Sequence, residues 1–120
     1  MRALCILPLL LCACLHADQA ADRAAIQKTI ARFNNPHERA SVLARGADLA
    51  PLDQTWEQGV SPLFFEMKEV SFVTADIAFV DAVASQFGSV IIKRSRPACF
   101  VLKRDNGEWR IAVMRLVQAP

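Results

Sequence analysis

Phe100-Val101-Leu102-Lys103-Arg104-Asp105-Asn106-Gly107-Glu108-Trp109-Arg110-Ile111 is two runs of alternating character joined by Asn-Gly. Asn-Gly accepts the two positive φ angles of a type I′ turn, whose twist matches that of the strands on either side. The stretch therefore reads as a hairpin, with strands over Ala98–Arg104 and Trp109–Val117. With Asn106 and Gly107 as the loop, Arg104 opposes Trp109, Leu102 opposes Ile111, Phe100 opposes Val113, and Ala98 opposes Arg115. Alternate residues share a face. One face then carries Phe100, Leu102, Trp109, Ile111 and Val113, with Arg115 at its end, and is expected to cover the core. The other carries Cys99, Val101, Lys103, Arg110, Ala112 and Met114, a mixed surface left to solvent or to a second subunit.

Upstream, Met67–Thr74, Ile77–Phe87 and Val90–Lys93 are dense in Val, Ile, Phe and small residues, which predicts further strands. Thr74-Ala75-Asp76 and Ser95-Arg96-Pro97 supply turns between neighbours. A helix is expected from Asp18 or Asp22 to Phe33, because Ile26, Ile30 and Phe33 recur at helical spacing. A second, shorter helix is expected from Pro36 to Gly46, with Asn35 as its cap and Glu38 completing a capping box. Residues 47–60 read as irregular around Trp56, and Ser61-Pro62-Leu63-Phe64-Phe65 as a cap with one helical turn. Helices followed by a run of antiparallel strands give an α+β domain.

The chain has 120 residues and 53% hydrophobic content, too apolar for disorder and of a length for one domain. Part of that content belongs to the start. Met1-Arg2 is followed by a short apolar run through Leu11, which matches the hydrophobic region of a secretory signal and is too short to span a bilayer. Leu11-Cys12-Ala13-Cys14 resembles a bacterial lipobox with Cys14 as the lipidated residue; cleavage after Ala17 or Ala20 is the competing reading. Residues 1–17 are thus assigned to signal and stub, and 18–120 to the domain. Export across the inner membrane to the periplasm or envelope follows as the expected location, with membrane contact through a Cys14 anchor alone. Cys99 is the one cysteine left in the folded part, so no disulfide framework is expected.

Residues 14–83 carry net charge −4 and residues 84–120 net +5, complementary parts of a nearly neutral chain. The late basic residues alternate with apolar ones and no stacking aromatic tract accompanies them, which argues against a nucleic-acid partner. No spacing of His and Cys suggests a metal, and no motif suggests a cofactor.

The helix Ala24–Phe33, the segment from Pro36, Phe72–Ala82 and the hairpin ending in Gly107-Glu108-Trp109-Arg110-Ile111 together resemble the SnoaL-like branch of the nuclear transport factor 2-like superfamily, over about residues 20–118. The resemblance implies a cone: a curved antiparallel sheet wrapped around N-terminal helices, with a pocket at the wide end and dimerisation through the outer sheet face. It also implies a small apolar or acidic ligand, with binding rather than catalysis as the leading expectation. Catalytic members of the family abstract protons as isomerases, dehydratases or cyclases. The chain contains no tyrosine, so the tyrosine-dependent machinery of that family has no counterpart here.

The candidate site is therefore read from the residues. Arg115 falls on the expected core face, and Asp81 shares a strand face with Ile77, Phe79 and Val83. If both point inward they meet in the pocket, where Asp81 would act as a base and Arg115 would hold a carboxylate. His37 is the third catalytic candidate, against an exposed position in the first turn of the second helix. Trp56 is expected as a lid or ligand platform, Phe64 at the pocket or core, and Lys93, Arg94 and Arg96 in a solvated turn or against lipid head groups.

Overall fold

The computed structural model describes residues 19–50, 63–87 and 93–117. A helix, α1, occupies residues 19–33. It forms where Ile26, Ile30 and Phe33 make one apolar stripe, and all three are buried. At its end Arg39 Nε donates to the Phe33 carbonyl at 3.0 Å, and the guanidinium lies 5.0 Å from the centre of the Phe33 ring. The charge complements the negative end of the helix dipole. Burial against the ring lowers the Arg39 pKa from its ordinary value.

Five strands follow: β1 (Leu43–Leu49), β2 (Phe64–Thr74), β3 (Ile77–Phe87), β4 (Lys93–Asp105) and β5 (Glu108–Leu116). They form one curved, open sheet in the order β1-β5-β4-β3-β2. Strands β2 to β5 are an antiparallel meander, and β1 joins β5 in parallel. The hairpin turn is as read, with φ 52° at Asn106 and 79° at Gly107. At the turn between β2 and β3, Thr74 Oγ1 accepts the Asp76 N–H at 3.1 Å.

The concave face buries Ala78, Val80, Ala82 and Ala84 of β3, Ala98, Phe100 and Leu102 of β4, and Trp109, Ile111 and Met114 of β5. At the centre the rings of Phe33, Phe65 and Phe100 meet with centroids 5.2–5.7 Å apart, tilted or edge-on as aromatic quadrupoles prefer. Polar links at Thr29, and at Asn34 just past the helix end, help tie α1 to the sheet. Thr29 Oγ1 lies 3.2 Å from the Trp109 carbonyl as well as 3.0 Å from that of Ala25. Asn34 donates from Nδ2 to the Phe65 carbonyl at 2.8 Å and accepts the Phe65 N–H at 2.7 Å.

The α+β architecture agrees with the sequence reading, and four local features differ. The expected second helix is a short 3₁₀ turn, Arg39–Val42, leading into β1. Asn35 does cap locally, accepting the His37 N–H at 3.0 Å, but Leu43 pairs with Ile111 of β5 instead of continuing a helix. Gly46 has the left-handed φ of 73° that would end a helix, and spends it on a bulge between Leu43 and Asp48. Phe64 and Phe65, expected in a helical turn, begin β2.

The runs around Lys93 and Ala98 are one strand, β4, which passes through Ser95-Arg96-Pro97. The Pro97 carbonyl accepts from Val117 N–H at 2.8 Å, so its nitrogen also faces β5, which has already ended at Leu116. The N–H that proline lacks would have met the Val117 carbonyl, so the β4–β5 ladder stops at Leu116.

Finally, the hairpin register holds for Arg104/Trp109 and Leu102/Ile111, then slips so that Val101 opposes Val113, Phe100 opposes Met114 and Cys99 opposes Arg115. Ala112 is the additional residue. A slip of one exchanges the faces: Met114 is fully buried, while Arg115 is exposed. Residues 1–18 with Cys14, the segment around Trp56 and residues 90–92 lie outside the described residues.

Candidate functional site

Arg104 and Trp109 face each other across the hairpin, at the end of the concave face where α1 begins. The guanidinium stacks on the indole, 4.9 Å from its centre. Asp22, early in α1 where the helix dipole favours an anion, accepts from Arg104 Nη2 at 2.9 Å and from Trp109 Nε1 at 3.2 Å. Arg104 Nη2 also donates to the Ala75 carbonyl. Asp76 Oδ1 stands 3.5 Å from Arg104 Nε, close enough for charge attraction, yet this buried Nε–H has no hydrogen-bond partner among the described residues. Asp22 and Asp76 together offset the single cation.

Beside this cluster a cleft of about 580 Å³ opens between the start of α1 and the turn joining β2 to β3. Phe72 and Thr74 form its β2 wall and Arg104 its floor. The Phe72 ring is held edge-on to Trp109 with centroids 6.1 Å apart. The cleft therefore offers an aromatic wall and the acceptor oxygens of Asp76, whose side chain is 73% exposed, with the unpartnered Arg104 Nε–H buried beside them. At the other end of the concave face Gln86 is buried, and Arg96 is half-buried opposite Ala84 rather than in a solvated turn.

The residues expected to form the site lie elsewhere. Asp81 is exposed on the outer face, since its neighbours Val80 and Ala82 take the concave one. Arg115, turned outward by the slip at Ala112, pairs with Asp48 and donates to the Asp48 and Met114 carbonyls at 3.0 and 2.9 Å. Both flank Cys99 in one cross-strand row, so they share a face but not a pocket. His37 is exposed in the Asn35 turn. Phe64 is 58% exposed and lines a shallow cleft of about 230 Å³ with Gln27 and Ala31 of α1. Trp56 and Cys14 belong to the residues not described. Among the described residues no cluster of His, Cys, Asp or Glu has the makings of a metal site, and no helix is long and apolar enough to cross a membrane.

Solved structures share this arrangement. A domain of unknown function with a cystatin-like fold from Nostoc punctiforme superposes with a TM-score of 0.60 at 18% identity, covering 87% of this chain and 78% of that one. The chain has the cone fold of the nuclear transport factor 2-like superfamily. Two further structures with this nuclear transport factor 2-like cone are similar. A candidate scytalone dehydratase from Novosphingobium aromaticivorans has a TM-score of 0.56 at 12% identity, covering 86% of this chain and 89% of that one. A candidate association domain of calcium/calmodulin-dependent protein kinase II from Xanthomonas campestris has a TM-score of 0.55 at 18% identity, covering 83% and 86%. Identities of 12–18% show the fold alone. No family model and no curated protein sequence matches the chain.

Sequence reasoning set Arg104 opposite Trp109 and Asp22 in the first helix without joining them. Their meeting is tertiary: 82 residues separate Asp22 from Arg104. The one available signal was an arginine at the end of an otherwise apolar face.

Proposed function

We propose that this domain binds a small, largely apolar molecule carrying a hydrogen-bond acceptor, in the cleft between the start of α1 and the β2–β3 turn. The observation that carries the reading is the buried, unpartnered Arg104 Nε–H beside the Phe72 wall of a 580 Å³ cleft. A neutral acceptor fits better than an acidic ligand, because Asp22 and Asp76 already offset the guanidinium charge. Export by the leader, an anchor at Cys14 and membership of the SnoaL-like branch belong to the same proposal. Four residues separate Cys14 from Gln19 at the cleft wall, a reach of at most about 18 Å. A lipid-anchored Cys14 would hold the cleft close to a membrane, where apolar molecules concentrate. The proton-abstracting alternative through Asp81 gains no support from an exposed position on the outer face. The apolar residues of that face favour its use as a self-association surface.

The test is thermal stabilisation of the full chain by a panel of neutral aromatic alcohols and ketones alongside aromatic carboxylates. At about 100-fold excess over Kd, binding is expected to add about 2.7 kcal/mol for neutral ligands. Phe72→Ala should abolish that increment while Val73→Ala, on an exposed neighbour, retains it. Stabilisation by no neutral compound, or stabilisation indifferent to Phe72→Ala, would refute the reading.

A further inference from the structure

We propose that a second cleft, at the start of β5, binds a phosphate group between Lys28, Arg32 and Arg110. It measures about 250 Å³ and lies between α1, the 3₁₀ turn and the hairpin. Lys28 and Arg32 line it from α1, Ser41 from the turn and Arg110 from β5. Strand β1 leaves room for it. Parallel pairing begins with Leu43 opposite Ile111, so the edge of β5 is uncovered over residues 108–110.

An uncovered strand edge presents backbone donors. The Arg104 N–H goes to the Asp76 carbonyl, so Arg104 and Trp109 do not exchange ladder bonds, and the Trp109 N–H and C=O both point away from β4. Thr29 Oγ1 meets that carbonyl. The N–H beside it points to the same edge, where Trp109 lines the cleft.

Charge gathers around this edge. Arg32 Nη2 donates to Ser41 Oγ at 3.1 Å and Arg110 Nη1 to the Ser41 carbonyl at 3.0 Å, so two guanidiniums converge on one residue. Lys28 stands one helical turn before Arg32, a like-charge spacing that is unfavourable by itself. It has no ion pair among the described residues. Two carboxylates hold the arginines: Glu38 stands 3.7 Å from Arg32 Nε, and Glu108 accepts from Arg110 Nη2 at 3.0 Å. Both are exposed, and exposed ion pairs contribute little, so an entering anion displaces either at small cost. A guanidinium has five N–H donors, which leaves several on each arginine. Three cations against two carboxylates leave one positive charge in excess.

The volume is below that of sites for drug-sized molecules, so the occupant is a small anion or the head of a larger molecule whose remainder stays in solvent. Donors reach the cleft from a helix, a strand and a backbone edge. A phosphate group presents several acceptor oxygens and up to two charges to such a spread, and its oxygens match the guanidinium fork. A carboxylate presents two oxygens in one plane and a single charge. Free phosphate, a small phosphomonoester and a lipid head group share this chemistry.

Titration of the full chain with inorganic phosphate at constant ionic strength, followed by backbone amide shifts, tests the site. Saturable shifts are expected at the Trp109 amide and at Ser41. Lys28→Ala and Arg32→Ala should each weaken binding by at least about fivefold, and Lys28→Arg should retain it. Glu108→Gln, which frees Arg110, should tighten binding by about twofold or more. Lys68→Ala, which removes a cation paired with Glu66 on β2, should leave it unchanged. A second arm measures co-sedimentation with phosphatidylcholine vesicles with and without phosphatidic acid. Co-sedimentation that needs both phosphatidic acid and Lys28 identifies a lipid head group as the source. Saturable phosphate binding without it identifies free phosphate or a small monoester. Binding in neither arm, or binding indifferent to both Lys28→Ala and Arg32→Ala, overturns the proposal.

Discussion

Asn34 occupies the outer edge of β2 with its side chain, giving Phe65 both the donor and the acceptor that a neighbouring strand would have supplied. Replacing it with alanine leaves a partly buried N–H and C=O unpaired, each costing about 1–3 kcal/mol. Asn34→Ala is expected to lower unfolding free energy by about 2–4 kcal/mol in urea titration, and Asn34→Asp, which keeps only the acceptor, to recover part of it. An unchanged midpoint would show that water replaces the amide. Such pairings are the least legible from sequence. Asn34 read as a helix stop, which it is, but its two bonds depend on a strand 31 residues away. Asp22 likewise read as a favourable first-turn acid, and only the fold brings it to Arg104 and Trp109. Local chemistry was readable at each residue, whereas the partner was not.

Elements were readable where their signals are local. The Asn-Gly turn, the Ile26/Ile30/Phe33 stripe and the bounds of β3 all follow from nearest neighbours. Strand β1 did not follow, because Leu43-Ala44-Arg45 has ordinary helix propensity and becomes a strand only through β5. The bulge at Ala112 was invisible for another reason: strict alternation puts Val113 beside Ile111 on the core face, and only the fit against Phe100 brings Met114 in its place. That decision relocates Arg115 from pocket to outer face and so dismantles the expected site. It can be checked by lysine scanning. Met114→Lys should cost at least about 4 kcal/mol, since it buries an unpaired charge, whereas Val113→Lys should cost about 1 kcal/mol or less. The reverse order in thermal unfolding would mean that the unbroken register is the true one.

At the scale of the molecule, connectivity sets the order of stability. Strands β2 to β5 follow one another in sequence and form a meander whose pairing is nearest-neighbour throughout. Strand β1 sits at the edge, pairs in parallel with the last strand across more than sixty residues of chain, and keeps an interrupted register around Gly46. Closing that long loop is rewarded by few ladder bonds. Its tethers at the far end are the exposed pair Arg115–Asp48 and the bond from Ala50 N–H to the Met114 carbonyl. Exposed ion pairs contribute about 0–1 kcal/mol, so β1 has little besides its ladder and Leu43, Ala44 and Leu49 to hold it. Strands β3 and β4, by contrast, have partners on both sides and Val80, Phe100 and Leu102 fully buried. Native-state hydrogen exchange should therefore show β1 opening as a unit below the global unfolding free energy, by about 1–3 kcal/mol, while amides of β3 and β4 exchange only through global unfolding. Equal protection of β1 and β4 would mean that the parallel β1–β5 pair belongs to the cooperative core, and that the cone closes in a single step.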